Sequence, residues 1–341
     1  MTLASITSEE QLDDVLSTPS PSDIALMSRL PGDILILGVS GKMGPSLARL
    51  AKRASGDSAK KVIGVARFSD PTVRQRLESW GIETIQADLL DRAAVNALPS
   101  APNVVFMAGQ KFGTSGNQAL TWAINTQTAV LAAEKFRDSR VVAFSTGNVY
   151  PLSAVAGGGP GEESALGPIG EYAQSALARE RLFEYFSSRN GTPISIFRLN
   201  YAIDLRYGVL RDIGDKVFHG RPVDVSMGHV NVIWQRDANS IALRMLEHCD
   251  SPPFVLNVTG SETLSVRSLA ERFASHFGVE AIISGIENAT ALLSNATKCV
   301  ETFGQPETSV DAMIALVAAW IRRDGASLGK PTHFEERDGG F

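Results

Sequence analysis

Cysteine is nearly missing: the 341 residues contain two, Cys249 and Cys299. With no CxxC and no Cys/His cluster, neither a disulfide framework nor a structural zinc site is expected, and no metal ligand set stands out. No run of about 18 consecutive apolar residues occurs, so no membrane span is expected. No charged leader precedes an apolar stretch, and a reducing cytoplasm is the expected location. Blocks of Lys and Arg are also lacking and the net charge is -5, which argues against nucleic acid or an anionic membrane surface as partner. No repeat recurs at a solenoid period. Against these absences stand 44% hydrophobic and 20% charged residues, the composition of a folded globular protein rather than a disordered one.

The length predicts one large bilobed domain or two domains. Residues 1–30 read as a lead-in arm, with a polar helical pattern in SEEQLDDVLS capped by Ser8 and then a Pro/Ser break at PSPS. Strand and helix then alternate: DILILG, a helix over 43–55, KVIGVA, a helix through TVRQRLESWG, TIQAD, a short helix over 91–98, NVVFMAG, a long helix over 117–137, and RVVAFST. Parallel neighbours need crossovers of helix length, so short apolar runs separated by helices predict a doubly wound α/β sheet. After a helix over 171–189 and the strand PISIFRLN the rhythm loosens. Residues 31–199 are therefore expected to form a dinucleotide-binding domain and 200–325 a mixed α/β substrate lobe, with helices near 237–248, 264–277 and 309–323. The tail, 326–341, is expected to be poorly ordered.

The run ILILGVSGKMGPSLARL, residues 34–50, carries the most specific local signal. A strand runs into Gly38, Gly41 and Gly44, and a helix with apolar Met43, Leu47 and Leu50 follows. Bare glycine backbone lets a diphosphate approach, and the helix N-terminus offers free N–H groups. Gly38, Gly41, Lys42, Met43 and Gly44 are the candidate cofactor contacts of this turn. The second strand ends in VARFSD, where an acid would take the ribose hydroxyls of NAD and an arginine would take the 2′-phosphate of NADP. Arg67 stands there, so NADP is expected over NAD, unless Asp70 reaches the ribose. At the third strand end, Asp88 beside Leu89 is placed either to accept from the adenine amino group or to cap the next helix.

From residue 33 to 323 the chain resembles the extended short-chain dehydrogenases/reductases, the NAD-dependent epimerase/dehydratase family. The resemblance rests on the GxxGxxG spacing, MAGQKFG after the fourth strand, WAINTQ, FSTGNVYP, FRLN and FVLNVTGSETLSVRSLAERFASHFG. It implies cofactor contacts from Ala108, Gly109, Lys111 and Asn125, and a homodimer built through helices 117–137 and 171–189. It also places Thr146 at the hydroxyl that binds the reacting oxygen and Tyr172 at the general base. Together these would shuttle a carbinol proton while hydride moves to or from the nicotinamide.

One departure is sharp. The family motif is YxxxK, and this chain reads Tyr172-Ala-Gln-Ser-Ala176. A phenol near its ordinary pKa of about 10 is roughly 0.1% ionised at pH 7, so loss of the lysine removes the cation that activates it. Three readings stay open: Lys111 supplies the charge and joins the catalytic set; Arg179 or the nicotinamide ring favours the phenolate; or the protein binds cofactor without turnover. Dehydratases of the family carry Asp-Glu after the Thr, and here Gly147 and Asn148 stand there, which disfavours a 4,6-dehydratase. Asn148, Asn200, Tyr201 and Trp234 are the candidate substrate contacts, Trp234 competing with a core role. The expected substrate is a sugar, sugar acid or nucleotide sugar with a secondary alcohol.

Overall fold

The computed structural model describes residues 6–111 and 116–340. The N-terminal arm is two helices, α1 (Glu9–Leu16) and α2 (Pro21–Arg29). Where a break was expected at PSPS, Ser20 caps α2: its hydroxyl accepts from the Asp23 N–H and the Asp23 carboxylate accepts from the Ser20 N–H. Pro21 follows at the first turn, where a missing N–H costs nothing. Leu12, Leu16 and Leu26 are fully buried, so the arm is part of the core.

Strands β1 (Ile34–Leu37), β2 (Val62–Ala66), β3 (Glu83–Gln86), β4 (Asn103–Phe106) and β5 (Arg140–Thr146) alternate with α3 (Gly44–Ala54), α4 (Pro71–Ser79) and α5 (Arg92–Asn96). β1, β2 and β4 are buried along their whole length, as strands covered on both faces must be. The helix expected over 117–137 is three pieces: α6 (Gln118–Trp122), a π-helical turn (Ala123–Gln127) and α7 (Thr128–Lys135). The two-residue piece β6 (Ser153–Ala154), α8 (Gly170–Asn190) and β7 (Ile194–Leu199) follow. The seven-stranded sheet runs in the order Phe254–Val258, β7, β5, β4, β1, β2, β3, with every neighbouring pair parallel. It is a doubly wound, Rossmann-type α/β fold.

Chain order reverses between β1 and β4, which opens the crevice where such sheets bind ligands. The second lobe holds α9 (Val209–Phe218), α10 (Gln235–Arg244), α11 (Val266–Phe277), α12 (Thr297–Phe303) and α13 (Val310–Arg322). Its core joins Leu210, Ile213, Phe273, Val317 and Trp320 to Leu12 and Leu16 of the arm. The boundary at 199 is not clean. Strand Phe254–Val258 returns to pair with β7, and α10 packs on α3, where Gln235 and Asn239 both donate to Ser46 Oγ at 2.9 Å. The tail is not loose: Phe334 is fully buried in the second core.

Candidate active site

The glycine turn is shaped by close backbone approach. Gly38 has φ +85°, and a Cβ there would come within 2.8 Å of the Ala108 nitrogen at the end of β4. A Cβ on Gly44 would overlap the Val39 carbonyl. Gly41 is different, because the nearest atom to its Cβ position is the Gly38 oxygen at 3.4 Å. That leaves an exposed cradle of bare backbone at the start of α3. Met43 occupies the N-cap and makes no side-chain cap bond, so N–H groups at this end suit an anion. The residues present therefore fit a dinucleotide diphosphate.

Around this turn the strand ends supply the rest. Arg67 is exposed just beyond β2, and no acid accompanies it. Asp70 caps α4, its Oδ1 accepting from the Thr72 N–H (2.9 Å) and hydroxyl (2.7 Å). Asp88 is exposed and accepts from Leu90 N–H, while Asp91, rather than Asp88, caps α5. Leu89 is buried beside it. Lys42 lies with its Nζ 3.2 Å from the centroid of the Tyr207 ring. Burial, reinforced by Lys111 and Lys330, brings the Lys42 pKa down to about 7. Lys111 is brought down by burial to about 8, against the pull of Asp212. The last part of the MAGQKFG loop, Phe112 and Gly113, lies outside the described residues.

Asn125 sits in the π-helical turn and is fully buried. Its Oδ1 accepts from Gln110 N–H at 2.8 Å, and its Nδ2 donates to the Gln110 carbonyl at 3.1 Å and to Ser175 Oγ at 2.8 Å. These bonds tie the loop after β4 to α8. Asn125 thus acts on the loop, and the widened turn is what aims its amide.

Thr146 ends β5 and Tyr172 lies in the first turn of α8. The two hydroxyls are hydrogen-bonded to each other. Thr146 Oγ1 also donates to Asn148 Oδ1 at 3.1 Å and accepts from the Asn148 N–H at 3.2 Å, which sets the short 3-10 turn beneath the site. Burial pushes the Tyr172 phenol up, while Arg179 and the Thr146 bond pull it back. Ala176, where the motif would put lysine, is fully buried against Val149 and Tyr150. The missing cation has a counterpart one turn on. Arg179 is buried on the same face of α8, and its Nη1 donates to the Ala108 carbonyl at 3.0 Å. Gly109 makes room for it, since a Cβ there would come within 2.6 Å of Arg179 Nη1. Lys111 places its Nζ 6.0 Å from the Tyr172 ring centroid.

Asn200 and Ser294 flank Gly147, and a Cβ on Gly147 would come within 3.2 Å of Asn200 and 2.9 Å of Ser294 Oγ. Both are buried, and Asn200 Nδ2 and Ser294 Oγ have no hydrogen-bond partner among the described residues. Buried polar atoms left so are costly unless a ligand meets them. Tyr201 is half-buried with φ +48° and lines a crevice with Asn148 and Met227. Trp234 does not join them. Its indole is buried in the second core with Ile203 and Val232, because the residue sits where a short strand turns into α10.

Sequence reasoning missed the layer under α8. Arg198 and Glu180 form a buried ion pair at 2.7 Å; Arg198 also donates to Tyr150 Oη at 2.7 Å, and Tyr150 donates to Asn257 at 2.8 Å. Ser145 donates to Glu180 as well. The arginine inside FRLN was the available signal. Among the described residues no cluster of His, Cys, Asp and Glu could hold a metal ion, and no helix is long and apolar enough to cross a membrane.

Residues 34–203 match the model of the family described as NAD dependent epimerase/dehydratase family, and through these residues the chain belongs to that family. No curated protein matches it in sequence. Solved structures share the fold. A dTDP-glucose 4,6-dehydratase from Bacillus anthracis str. Ames in complex with NAD aligns with TM-score 0.73 at 14% identity, over 86% of this chain and 97% of that one. The UDP-Glc/GlcNAc 4-epimerase of Campylobacter jejuni gives 0.70 at 20%, over 86% and 99%. The UDP-glucose 4-epimerase of Thermus thermophilus in complex with NAD gives 0.70 at 17%, over 85% and 99%.

Proposed function

We propose that this member of the NAD dependent epimerase/dehydratase family is a nicotinamide-dependent oxidoreductase or epimerase acting on a secondary alcohol of a sugar-like substrate. The observation that carries the reading is the Thr146–Tyr172 hydroxyl pair with the Arg179 guanidinium beside it. Bound dinucleotide supplies the hydride acceptor or donor. The chain supplies the rest. Backbone at Gly38, Gly41 and Gly44, with Lys42 and Lys111, holds the diphosphate, and Arg67 with no neighbouring acid favours a 2′-phosphate, hence NADP. Thr146 Oγ1 holds the carbinol oxygen, and Tyr172 Oη takes its proton as the alcohol is oxidised and returns it on reduction.

Arg179 is a better replacement for the lysine than Lys111. A guanidinium stays charged in proteins, whereas Lys111, at about 8, is partly neutral in mildly alkaline solution. Asn148, Asn200, Tyr201 and the orphaned Ser294 hydroxyl offer hydrogen bonds suited to sugar hydroxyls. The sugar-nucleotide enzymes of the same fold support that substrate class. Exposed Leu120 and Tyr185, on the two helices expected to pair, support a homodimer.

The test is direct. NADPH and NADH titrations followed by fluorescence, then absorbance at about 340 nm with a panel of sugars, sugar acids and nucleotide sugars, must give cofactor binding and a substrate-dependent signal. Binding with no signal across the panel would favour the rival reading, cofactor binding without turnover, for which the buried Ala176 is the argument. No binding of either nucleotide would end both.

A further inference from the structure

Residues 329–340 leave α13 and run back over the catalytic face. Thr332 N–H and hydroxyl both donate to Asp212 Oδ2, at 2.7 and 2.6 Å. Phe334 fills the second core, and Glu335 pairs with Lys216 at 2.8 Å. Arg337 then donates to the Thr290 carbonyl (2.8 Å), the Thr290 hydroxyl (2.7 Å) and the Ser226 carbonyl (3.2 Å).

Beyond it the chain crosses the start of α8 two residues before Tyr172. Gly170 and Gly339 meet there backbone to backbone, at φ +82° and +79°. A Cβ on Gly170 would come within 2.6 Å of the Gly339 oxygen, and one on Gly339 would overlap the Ile169 carbonyl. Only two residues without side chains at positive φ can cross this closely.

Glu336, Arg337 and Gly339 thereby roof the crevice that Asn148, Tyr201 and Met227 line, and the cavity left is about 20 Å³. That volume holds about one water, whereas small-molecule sites occupy roughly 300–1,000 Å³. We infer that residues 329–340 are a strap that shuts the substrate crevice in the resting protein, and that a ligand reaches Thr146 and Tyr172 only when the strap lifts from Arg337 onward. The inference rests on the proposed reading of that crevice as the substrate site.

The anchoring is graded in the way a strap requires. Thr332 and Phe334 are buried and hold the near end. Arg337 has only neutral oxygen acceptors and a weak sulfur contact to Met227 among the described residues, and Glu336, Asp338 and Gly340 are exposed. Lifting the far end therefore breaks the Arg337 bonds while the core stays packed.

A thiol probe tests this without a known substrate. Leu292 lines the crevice beneath the strap and is buried. In the whole chain carrying Cys249→Ser, which removes the half-buried thiol and leaves the buried Cys299, Leu292→Cys is expected to react slowly with a small aromatic disulfide reagent. Adding Arg337→Ala is expected to speed the reaction at least about tenfold, as local opening does, with little change in melting temperature. Deletion of 336–341 is the second opening variant should Arg337→Ala fold poorly. Fast labelling with the strap intact, or no acceleration in either opened variant, overturns the strap. NADPH titration of the same proteins separates the two claims: gated labelling without NADPH binding keeps the strap and sinks the enzyme reading, and the converse result does the reverse.

Discussion

Arg179 Nη1 donates to the Ala108 carbonyl oxygen at 3.0 Å, which fixes a permanent cation at the end of β4 within electrostatic reach of Tyr172. A cation favours the phenolate and so lowers the phenol pKa. Arg179→Met is therefore expected to raise it, moving the alkaline-rising limb of the kcat profile upward by roughly one pH unit or more. Arg179→Lys should restore part of the shift. A purely structural role for Arg179 would lower activity at every pH and leave the limb where it was.

Tyr172→Phe removes the hydroxyl proposed to carry the proton and keeps the ring. Turnover is expected to fall by about 10²–10⁴-fold with NADPH affinity unchanged, as read by stopped-flow absorbance and fluorescence titration on the same preparation.

The glycines of the turn should separate by readout. Gly41→Ala places a methyl in the open cradle and is expected to weaken NADPH binding about tenfold, roughly 1.4 kcal/mol, at unchanged melting temperature. Gly44→Ala overlaps the Val39 carbonyl and is expected to cost about 1–3 kcal/mol of stability, seen in denaturant midpoints.

Lys42, brought down to about 7 by burial, is expected to make cofactor affinity pH-dependent. Its ammonium is charged below that pH and neutral above it, so NADPH affinity should fall as pH rises from about 6.5 to about 8.5, by about tenfold if one phosphate contact is lost. Lys42→Arg should flatten the slope, measured by titration calorimetry in buffers of different ionisation enthalpy.

Removing one partner of the buried Arg198–Glu180 pair leaves the other charge stranded. Glu180→Ala is expected to destabilise by about 3–5 kcal/mol. The double replacement Glu180→Leu with Arg198→Leu should be milder than the sum, as chemical denaturation would show.

Much of this was legible in the sequence. The first six sheet strands and the glycine turn follow from apolar runs and bare backbone, both local properties. The break at PSPS falls where expected, between α1 and α2, but the second helix that opens at Pro21 was not read, because Pro at a first helical turn and Pro ending a helix look alike until Ser20 and Asp23 are seen to bond. The missing lysine was visible, yet its neighbour in function was not fixed, because Arg179 is two turns from Tyr172 and its direction depends on Gly109 leaving space. Trp234 was a local ambiguity that only packing could resolve. The strap was out of reach. Arg337 and Gly339 lie more than 160 positions from Gly170, and nothing in their own segment names a partner.

The N-terminal arm decides how the molecule can move. Asp13 is paired with Arg206 of the second lobe at 3.1 Å and with Arg76 of α4 at 3.5 Å, Asp14 with Arg49 of α3 at 2.5 Å, and Arg236 of α10 donates to the Thr18 carbonyl at 2.9 Å. Rocking the lobes apart would break the arm's contacts with one side or the other. The arm works as a splint, and it leaves the protein opening by a flap rather than by a hinge.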